Sequence, residues 1–334
     1  MSKTFLLKDT IELRSFDDII HNKNLINRLK IYGKSKNIDN LIFCGPNGSG
    51  KYTIAKILLA EVFNENIFNL KKKKIDIEYK KKNEEIELFY SNYHYELDLY
   101  QFKFIDMYLI IEFIKQYTSN INIFTNTHNV IIIKNFQLAS KNIQFALRRI
   151  TEKKINSCRF IFLTNSLGNI EEALISRTIL LRLNKIKDSE IKNILKNVIN
   201  INKFSVSAKN LNKIIAVSEN DITKSLCLLE NCIDGIEIKN NYELDSLIDL
   251  IETSNKILDI NIIRTKLYNI LLYISPSLLI EKITLKILKD YDMNINIRNK
   301  ILELACNTEN NLNLGFRSIY HIEYFIIELI CLFN

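Results

Sequence analysis

Proline, glycine and tryptophan are scarce in this 334-residue sequence, which contains 2 Pro, 7 Gly and no Trp. No Pro- or Gly-rich linker marks a domain boundary, so the predicted boundaries are soft by several residues. The sequence also lacks any run of about 18 apolar residues, and its first residues lack the apolar stretch of a secretory signal. We therefore expect a soluble, intracellular protein that does not span a membrane.

Metal-ligand spacing is also missing. The six cysteines are scattered, with no C-x-x-C pair and no histidines at ligand spacing. This predicts no metal site and reduced thiols that lie mostly in the core. A net charge of +8 suits contact with a polyanion, and it equally suits a basic protein without such a partner. The lysine runs at residues 71–74 and 80–82 leave two alternatives, phosphate contacts or the solvated edge of a strand or loop.

The first half of the sequence alternates strand-like and helix-like segments, which indicates a parallel α/β sheet. Apolar or alternating runs predict strands at residues 40–44, 75–79, 86–90, 130–133 and 160–163. Apolar residues at helical spacing predict helices at residues 53–63 and 106–117. After residue 182 the pattern is helical, including residues 189–199, 208–218 and 221–232. The last helix carries an apolar stripe, typical of a core face or a helix partner, formed by Ile319, Ile322, Ile326, Leu329 and Ile330.

One motif carries specific chemistry. The phosphate-loop pattern G-x-x-x-x-G-K lies between a predicted strand and a predicted helix, as Gly45, Pro46, Asn47, Gly48, Ser49, Gly50 and Lys51. The glycines of such a loop let backbone N–H groups and the helix N-terminus face phosphate oxygens, and its lysine reaches the β- and γ-phosphates. The pattern therefore predicts a site for a nucleotide.

The residue after this lysine departs from the pattern. A serine or threonine normally holds Mg²⁺ there, but the residue is Tyr52, and a hydroxyl follows one position later at Thr53. A helix turns by about 100° per residue, so Thr53 does not point where Tyr52 points. We expect phosphate capture by backbone amides and Lys51, without assistance from Mg²⁺.

Further stretches of the sequence match one family in its own order. They are residues 91–94, 144–149 with 152–153, 157–161 with 165–166, 175–177 and 319–323. With the loop at residues 45–53, they resemble the small subunits of replication factor C, the AAA+ clamp loader. The resemblance is nearest to the non-hydrolysing subunit whose loop reads G-P-x-G-x-G-K-K-T. The family's W-x-x-K-Y-R-P opening is not recognisable.

This resemblance implies an architecture and a function. It implies an α/β AAA+ domain with a parallel sheet at residues 1–182, a helical lid at 183–240 and an all-α collar for oligomerisation at 241–334. Bound ATP or ADP is implied as well. The chain would join other clamp-loader subunits in a heteropentamer that loads a sliding clamp onto primer–template DNA, in the nucleus or an equivalent site of DNA replication.

The resemblance also draws attention to missing acids. Hydrolysing members of the family end one strand with an Asp for Mg²⁺ and a Glu that polarises water, but the corresponding stretch here reads Lys134-Asn135-Phe136-Gln137. On this reading nothing negative is left beside the loop to hold Mg²⁺ or to steer water. Because phosphoryl transfer needs both, we expect nucleotide to bind without turnover, unless an acid such as Asp106 substitutes.

Other site residues follow from the same resemblance. Asn165 occupies the first sensor position, as a nucleotide contact or a structural residue, and Thr223 replaces a second sensing arginine. Arg177 corresponds to the arginine that enters the ATP site of the neighbouring subunit, with an ordinary surface salt bridge as the alternative. Arg148 and Arg149 lie on a helix that resembles the one facing the central DNA channel, and at most one of two adjacent side chains can face DNA.

Two other functions remain open from the sequence. The chain could be a self-sufficient AAA+ ATPase that uses unrecognised acidic residues. It could also be a scaffold subunit that binds no nucleotide.

Overall fold

The computed structural model describes residues 7, 13–34, 38–63, 65–79, 82–101, 107–118, 128–153, 157–202, 204–236, 242–253, 260–271, 274–290, 294–314 and 317–333. The chain divides into two compact units, Met1–Ile238 and Lys239–Asn334. None of the described helices has the length and apolar character needed to cross a bilayer.

Within the described part of the first unit, seven strands form a central sheet. Its strands are β1 (Leu41–Cys44), β2 (Lys71–Tyr79), β3 (Lys82–Tyr90), β4 (His94–Asp98), β5 (Asn129–Lys134), β6 (Cys158–Thr164) and β7 (Ile179–Arg182). The order across the sheet is β2-β3-β4-β5-β6-β1-β7. Strands β4, β5, β6, β1 and β7 are parallel, whereas β2 and β3 form an antiparallel hairpin at one edge. The predicted α/β fold with a mostly parallel sheet is confirmed, and β4 and β7 are strands that the sequence pattern did not reveal.

Helices precede or connect the strands of this sheet, and three more described helices of the first unit come after the last strand. They are α1 (Lys23–Lys34), α2 (Lys51–Val62), α3 (Met107–Thr118), α4 (Lys141–Lys153), α5 (Glu172–Ile175), α6 (Asp188–Asn202), α7 (Ala208–Ser218) and α8 (Ile222–Ile233). The last three share an apolar cluster of their own. They agree with the helices predicted after residue 182 to within a few residues.

Both faces of the sheet are buried at its central strands, as β5 shows. Its residues Val130 and Ile132 pack into one apolar cluster, and Ile131 and Ile133 pack into another. Successive residues of a strand point to opposite faces, so a strand covered on both sides must be apolar at every position. This explains the continuous apolar run in the sequence.

The described residues of the second unit form helices. They are α9 (Tyr242–Thr253), α10 (Ile260–Leu271), α11 (Pro276–Asp290), α12 (Ile295–Leu314) and α13 (Ser318–Phe333). Of the stripe predicted on α13, Ile322, Ile326, Leu329 and Ile330 are buried in the shared core of these helices, whereas Ile319 is only partly buried. An ion pair joins α10 to α13, because Arg264 donates to both carboxylate oxygens of Glu323 at 2.6 and 2.9 Å.

Strand β2 is one edge of the sheet and begins with exposed lysines at residues 71–74. The Nζ of Lys74 lies 3.6 Å from Oε1 of Glu87 on β3, and the Lys72 ammonium lies 5.3 Å from the ring centre of Phe89. Of the two alternatives for this lysine run, the structure therefore favours the solvated strand edge. Residues 80 and 81 of the second run lie outside the described residues.

Phe162 of β6 tests the burial of the sheet. It is fully buried, and its ring centre lies 4.4 Å from that of Phe136. We expect Phe162→Ala to leave a cavity and to lower the free energy of unfolding of the first unit by about 3–5 kcal/mol. The matched control is Phe145→Ala on α4, where 46% of the residue is exposed and a loss below about 1 kcal/mol is expected. Urea unfolding followed by circular dichroism measures both, and equal losses would contradict the assigned burial.

Candidate nucleotide-binding site

The loop between β1 and α2 has the geometry of an anion cradle. Gly48 and Gly50 have φ values of 65° and 81°, a left-handed conformation that glycine adopts without strain. Gly50 is the N-cap of α2 and has no side chain, so it places no capping group over the first N–H groups of the helix. These N–H groups and the positive end of the α2 dipole can therefore face an anion bound at the loop.

Lys51 lies at the start of α2 and reaches back over this loop. Its Nζ donates to the carbonyl oxygens of Gly45 and Pro46, each at 2.7 Å. Burial lowers the pKa of Lys51 to about 8, although the nearby Cys44 and Asp221 act in the opposite direction. The side chain is still mostly protonated at pH 7, and a bound phosphate would favour the charged form further.

Asn165 also lies at this loop. It follows strand β6, and its Nδ2 donates to Oδ1 of Asn47 at 2.8 Å. The backbone N–H of Asn165 donates to Oε1 of Gln137 at 3.3 Å, which ties the end of β6 to the segment after β5. The structure thus brings this predicted site residue next to the phosphate loop, and its contact with nucleotide stays a prediction.

The loop also contacts the N-cap and first residue of α8, and it contacts a buried histidine. The backbone N–H of Ile222 donates to the Gly48 carbonyl at 3.4 Å, and the Asp221 carboxylate lies where a Cβ on Gly48 would be. On the other side, Nε2 of His21 lies 3.2 Å from the Ser49 carbonyl oxygen, and burial lowers the pKa of His21. The predicted lid segment therefore meets the phosphate loop at Gly48.

A buried carboxylate lies directly beside Tyr52. Both oxygens of Glu96 on β4 accept from the Tyr52 phenol, at 2.8 and 2.9 Å. The Nζ of Lys134 lies 2.8 Å from Oε2 of Glu96, and Nε2 of His94 lies 3.1 Å from Oε1. We refer to Glu96, His94, Tyr52 and Lys134 as the Glu96 cluster.

The Glu96 cluster corrects part of one expectation. The sequence predicted that nothing negative is left beside the phosphate loop to hold Mg²⁺ or to steer water, but a carboxylate does lie there, because β4 is the parallel neighbour of β5. An acid of β4 therefore reaches the end of β5. Burial acts to raise the pKa of Glu96, but the hydrogen bond from His94 and the charge of Lys134 outweigh burial and lower the pKa to about 2. Glu96 is thus ionised at neutral pH.

A second carboxylate, Asp98, ends strand β4. It accepts from Nδ2 of Asn135 at 2.7 Å and from the backbone N–H of Tyr100 at 3.0 Å. Asp106, the substitute acid considered from the sequence, lies outside the described residues.

The residues beside the loop do not fit Mg²⁺. This ion takes oxygen ligands in a near-octahedral arrangement, whereas both oxygens of Glu96 are engaged by donors, one of them the Lys134 ammonium. The Tyr52 phenol points to Glu96 as well. Within the described part of the chain, no cluster of three or more His, Cys, Asp or Glu side chains could hold a metal ion.

The three predicted arginines lie on another part of the first unit. Arg177 follows α5, and its Nε lies 2.7 Å from Oε1 of Glu152 on α4. The Nε of Arg148 lies 3.5 Å from the same oxygen, and Arg149 is exposed. The isolated chain therefore adopts the alternative considered from the sequence, in which Arg177 forms a surface salt bridge. Within the described residues, no hydrogen bond or ion pair links these arginines to the phosphate loop.

The sheet order, the loop and its helix define an AAA+ P-loop domain. In solved structures the same fold occurs in the Holliday junction branch migration motor RuvB of Thermotoga maritima, with a TM-score of 0.51 and 15% identity over 77% of this chain and 85% of that one. The family profile for the C-terminal domain of replication factor C subunit 3 matches residues 243–334.

Similarity to curated proteins covers nearly the whole chain. A putative replication factor C small subunit of Acanthamoeba polyphaga mimivirus is 32% identical over 92% of this chain and 86% of its own length. Replication factor C subunit 5 of Saccharomyces cerevisiae is 26% identical over 97% of this chain and 98% of its own. The chain belongs to the replication factor C small-subunit family, and it is thus a subunit of an AAA+ clamp loader that acts in DNA replication.

Glu96→Gln tests the charge of the Glu96 cluster. The pKa of Glu96 falls from 4.5 to about 2 on folding, so its ionised form stabilises the fold above pH 4.5, and that contribution is lost as the pH falls through about 2. We expect the variant to lose roughly 3 kcal/mol of unfolding free energy at pH 7, with the difference shrinking toward pH 2. The control is Glu87→Gln, an exposed carboxylate on β3 that should change little. Urea unfolding between pH 2 and 7 is the measurement, and a difference independent of pH would contradict the lowered pKa.

Proposed function

We propose that this chain is a clamp-loader subunit that binds ATP or ADP, does not hydrolyse it, and donates Arg177 to the ATP site of a neighbouring subunit. The subunit would act in a heteropentameric ring that places a sliding clamp on primer–template DNA, in the nucleus or an equivalent site of replication. Residues 1–182 would form the AAA+ domain, 183–240 the lid and 241–334 the collar. The family membership and the near full-length similarity support this assignment.

The proposal that this chain does not hydrolyse nucleotide rests on the pairing of two acids of β4, of which Glu96 contacts Tyr52 next to an intact phosphate loop. Glu96 is held by Lys134 and Tyr52, and Asp98 is held by Asn135. Hydrolysis requires a carboxylate or amide that orients water and a metal ion that neutralises the developing phosphate charge. A carboxylate in direct contact with an ammonium is a poor metal ligand. The loop and Lys51 still provide donors for phosphate oxygens.

Lys51→Ala tests whether the loop binds nucleotide. We expect the native chain to bind a fluorescent ADP or ATP analogue and the variant to bind it at least about ten-fold more weakly, because one charge-assisted contact to phosphate is lost. Fluorescence titration measures the dissociation constants. Lys115→Met, which removes an exposed lysine on α3, is the control and should bind normally. A native chain without measurable affinity would favour the scaffold hypothesis.

Asp98 favours one alternative, the self-sufficient ATPase. Asp98 lies at the carboxyl end of β4 and accepts a hydrogen bond from Asn135. Asn135 belongs to the stretch that carries the catalytic acids in hydrolysing members of the family. If the purified chain hydrolysed ATP, and if Asp98→Asn abolished turnover while leaving nucleotide affinity intact, Asp98 would be the unrecognised acid. Absence of turnover in the native chain would support the non-hydrolysing assignment.

Arg177 is suited to act on a neighbouring subunit because its ion pair with Glu152 is weak. The side chains of Arg177 and Glu152 are 36% and 43% exposed, and an ion pair with that exposure contributes only about 0–1 kcal/mol. Transfer of the guanidinium to a phosphate of another subunit therefore costs little. A planar guanidinium is also well matched to the charge that develops on a transferred phosphoryl group.

Arg177→Ala tests this role in the assembled ring. We expect the ATPase rate of the ring to fall by about 10²-fold or more at the site next to this subunit, while nucleotide affinity of this chain is unchanged. The control is Arg28→Ala, an exposed arginine on α1. Steady-state ATPase of the reconstituted complex, with subunit assembly checked by gel filtration, is the measurement. An unchanged rate with normal assembly would leave Arg177 as a surface ion pair.

Arg148 and Arg149 complete the proposal as DNA contacts. Of the two, Arg149 is exposed, and Arg148 shares the Glu152 oxygen with Arg177. Contacts from these side chains would go to phosphates, so DNA binding by the ring should be independent of sequence and should weaken with salt.

A further inference from the structure

Lys134 occupies an unusual place for a lysine. It ends β5, its Nζ lies 3.8 Å from the centre of the Tyr52 ring, and Tyr52 is the residue that follows Lys51 of the phosphate loop. The ammonium is also 2.8 Å from Oε2 of Glu96. Ion pair and aromatic ring together fix a positive charge beside the first turn of α2.

Exposure decides which partner of this ion pair a ligand meets. The Lys134 side chain is 25% exposed, whereas the Glu96 side chain is 2% exposed. Glu96 is covered by the Tyr52 phenol, His94 and Lys134 itself. A molecule that approaches from solvent therefore meets the Lys134 ammonium before it meets the Glu96 carboxylate. The carboxylate fixes the position of the ammonium.

This arrangement affects anions and metal ions in opposite ways. A phosphate bound at the first turn of α2 would gain a contact with Lys134 in addition to that with Lys51, because the Lys134 ammonium lies against the ring of Tyr52, the second residue of this helix. A divalent cation at the same place would be repelled by Lys134, and it would have to displace the donors of Glu96 to gain a ligand. The positive charge that a metal ion commonly brings to a nucleotide site is therefore built into the chain.

We propose that this site binds its nucleoside di- or triphosphate without a divalent metal ion, with Lys134 as the resident counter-cation. The inference rests on the proposed nucleotide binding and adds a specific ligand class, the metal-free nucleotide. Tyr52 and Glu96 are positioning residues for Lys134. In this arrangement the nucleotide is held by the loop amides, Lys51 and Lys134.

The first test compares metal conditions for the native chain. A fluorescent ADP analogue is titrated in excess magnesium chloride and again in excess EDTA. We expect the two dissociation constants to agree within about three-fold. Binding that is lost in EDTA and restored by magnesium would overturn the inference while leaving nucleotide binding intact. No binding under either condition would overturn both the inference and the proposed nucleotide site.

The second test isolates Lys134. Removing it alone would leave Glu96 without its cation, so the Lys134→Met/Glu96→Gln double variant is compared with Glu96→Gln. We expect the double variant to bind the analogue about ten-fold more weakly in EDTA, because one ammonium has been removed. Lys134→Arg keeps the charge and should bind the analogue in EDTA. Lys115→Met is the control for loss of a lysine elsewhere in the first unit.

Thermal unfolding of each variant separates a binding effect from a folding effect. Equal affinity of the double variant and Glu96→Gln, with both folded, would show that Lys134 serves only the ion pair and would overturn its role as counter-cation. If the double variant does not fold, the metal comparison of the native chain and the Lys134→Arg titration decide the question by themselves.

Discussion

A buried carboxylate requires compensating charge or hydrogen-bond donors, and Glu96 imposes that requirement on the carboxyl edge of the sheet. Three elements provide the donors that Glu96 needs: β4 supplies His94, α2 supplies Tyr52 and β5 supplies Lys134. Tyr52 and Lys134 stand where the sequence pattern places groups that handle a metal ion, and both are committed to Glu96. The anion-binding half of the site, formed by glycine conformations and Lys51, does not depend on this substitution and is retained.

The phosphate loop and Arg177 lie in different parts of the first unit. The loop depends on the β1–α2 junction, whereas Arg177 follows α5 and rests on Glu152 of α4. A change in the chemistry at one place therefore need not alter the other. This separation gives a physical reason why a subunit could lose its own hydrolysis and still serve an adjacent site, as proposed here for the ring.

Much of this fold could be predicted because the relevant signals are local. Strands β5 and β6 are apolar at nearly every position since both faces are covered, and the phosphate loop is defined by consecutive residues. Strand β4 escaped prediction because buried His94 and Glu96 interrupt its apolar pattern, and β7 because its residues are only partly covered. The contact of Tyr52 with Glu96 joins positions 44 residues apart. The only local sign of Glu96 was its place two residues after His94, and nothing in that spacing shows which neighbour it reaches.

The lysines at the start of β2 have a consequence for assembly. A strand at the border of a sheet offers unpaired N–H and C=O groups that another chain could join, and charged side chains on that border oppose such joining. Residues 71–74 place ammonium groups on both faces of β2, since alternate residues point opposite ways. Two copies of this sheet that met edge to edge at β2 would bring these positive charges together, and the repulsion opposes pairing of the two sheets. The charge on this strand therefore disfavours subunit association through the β2 edge.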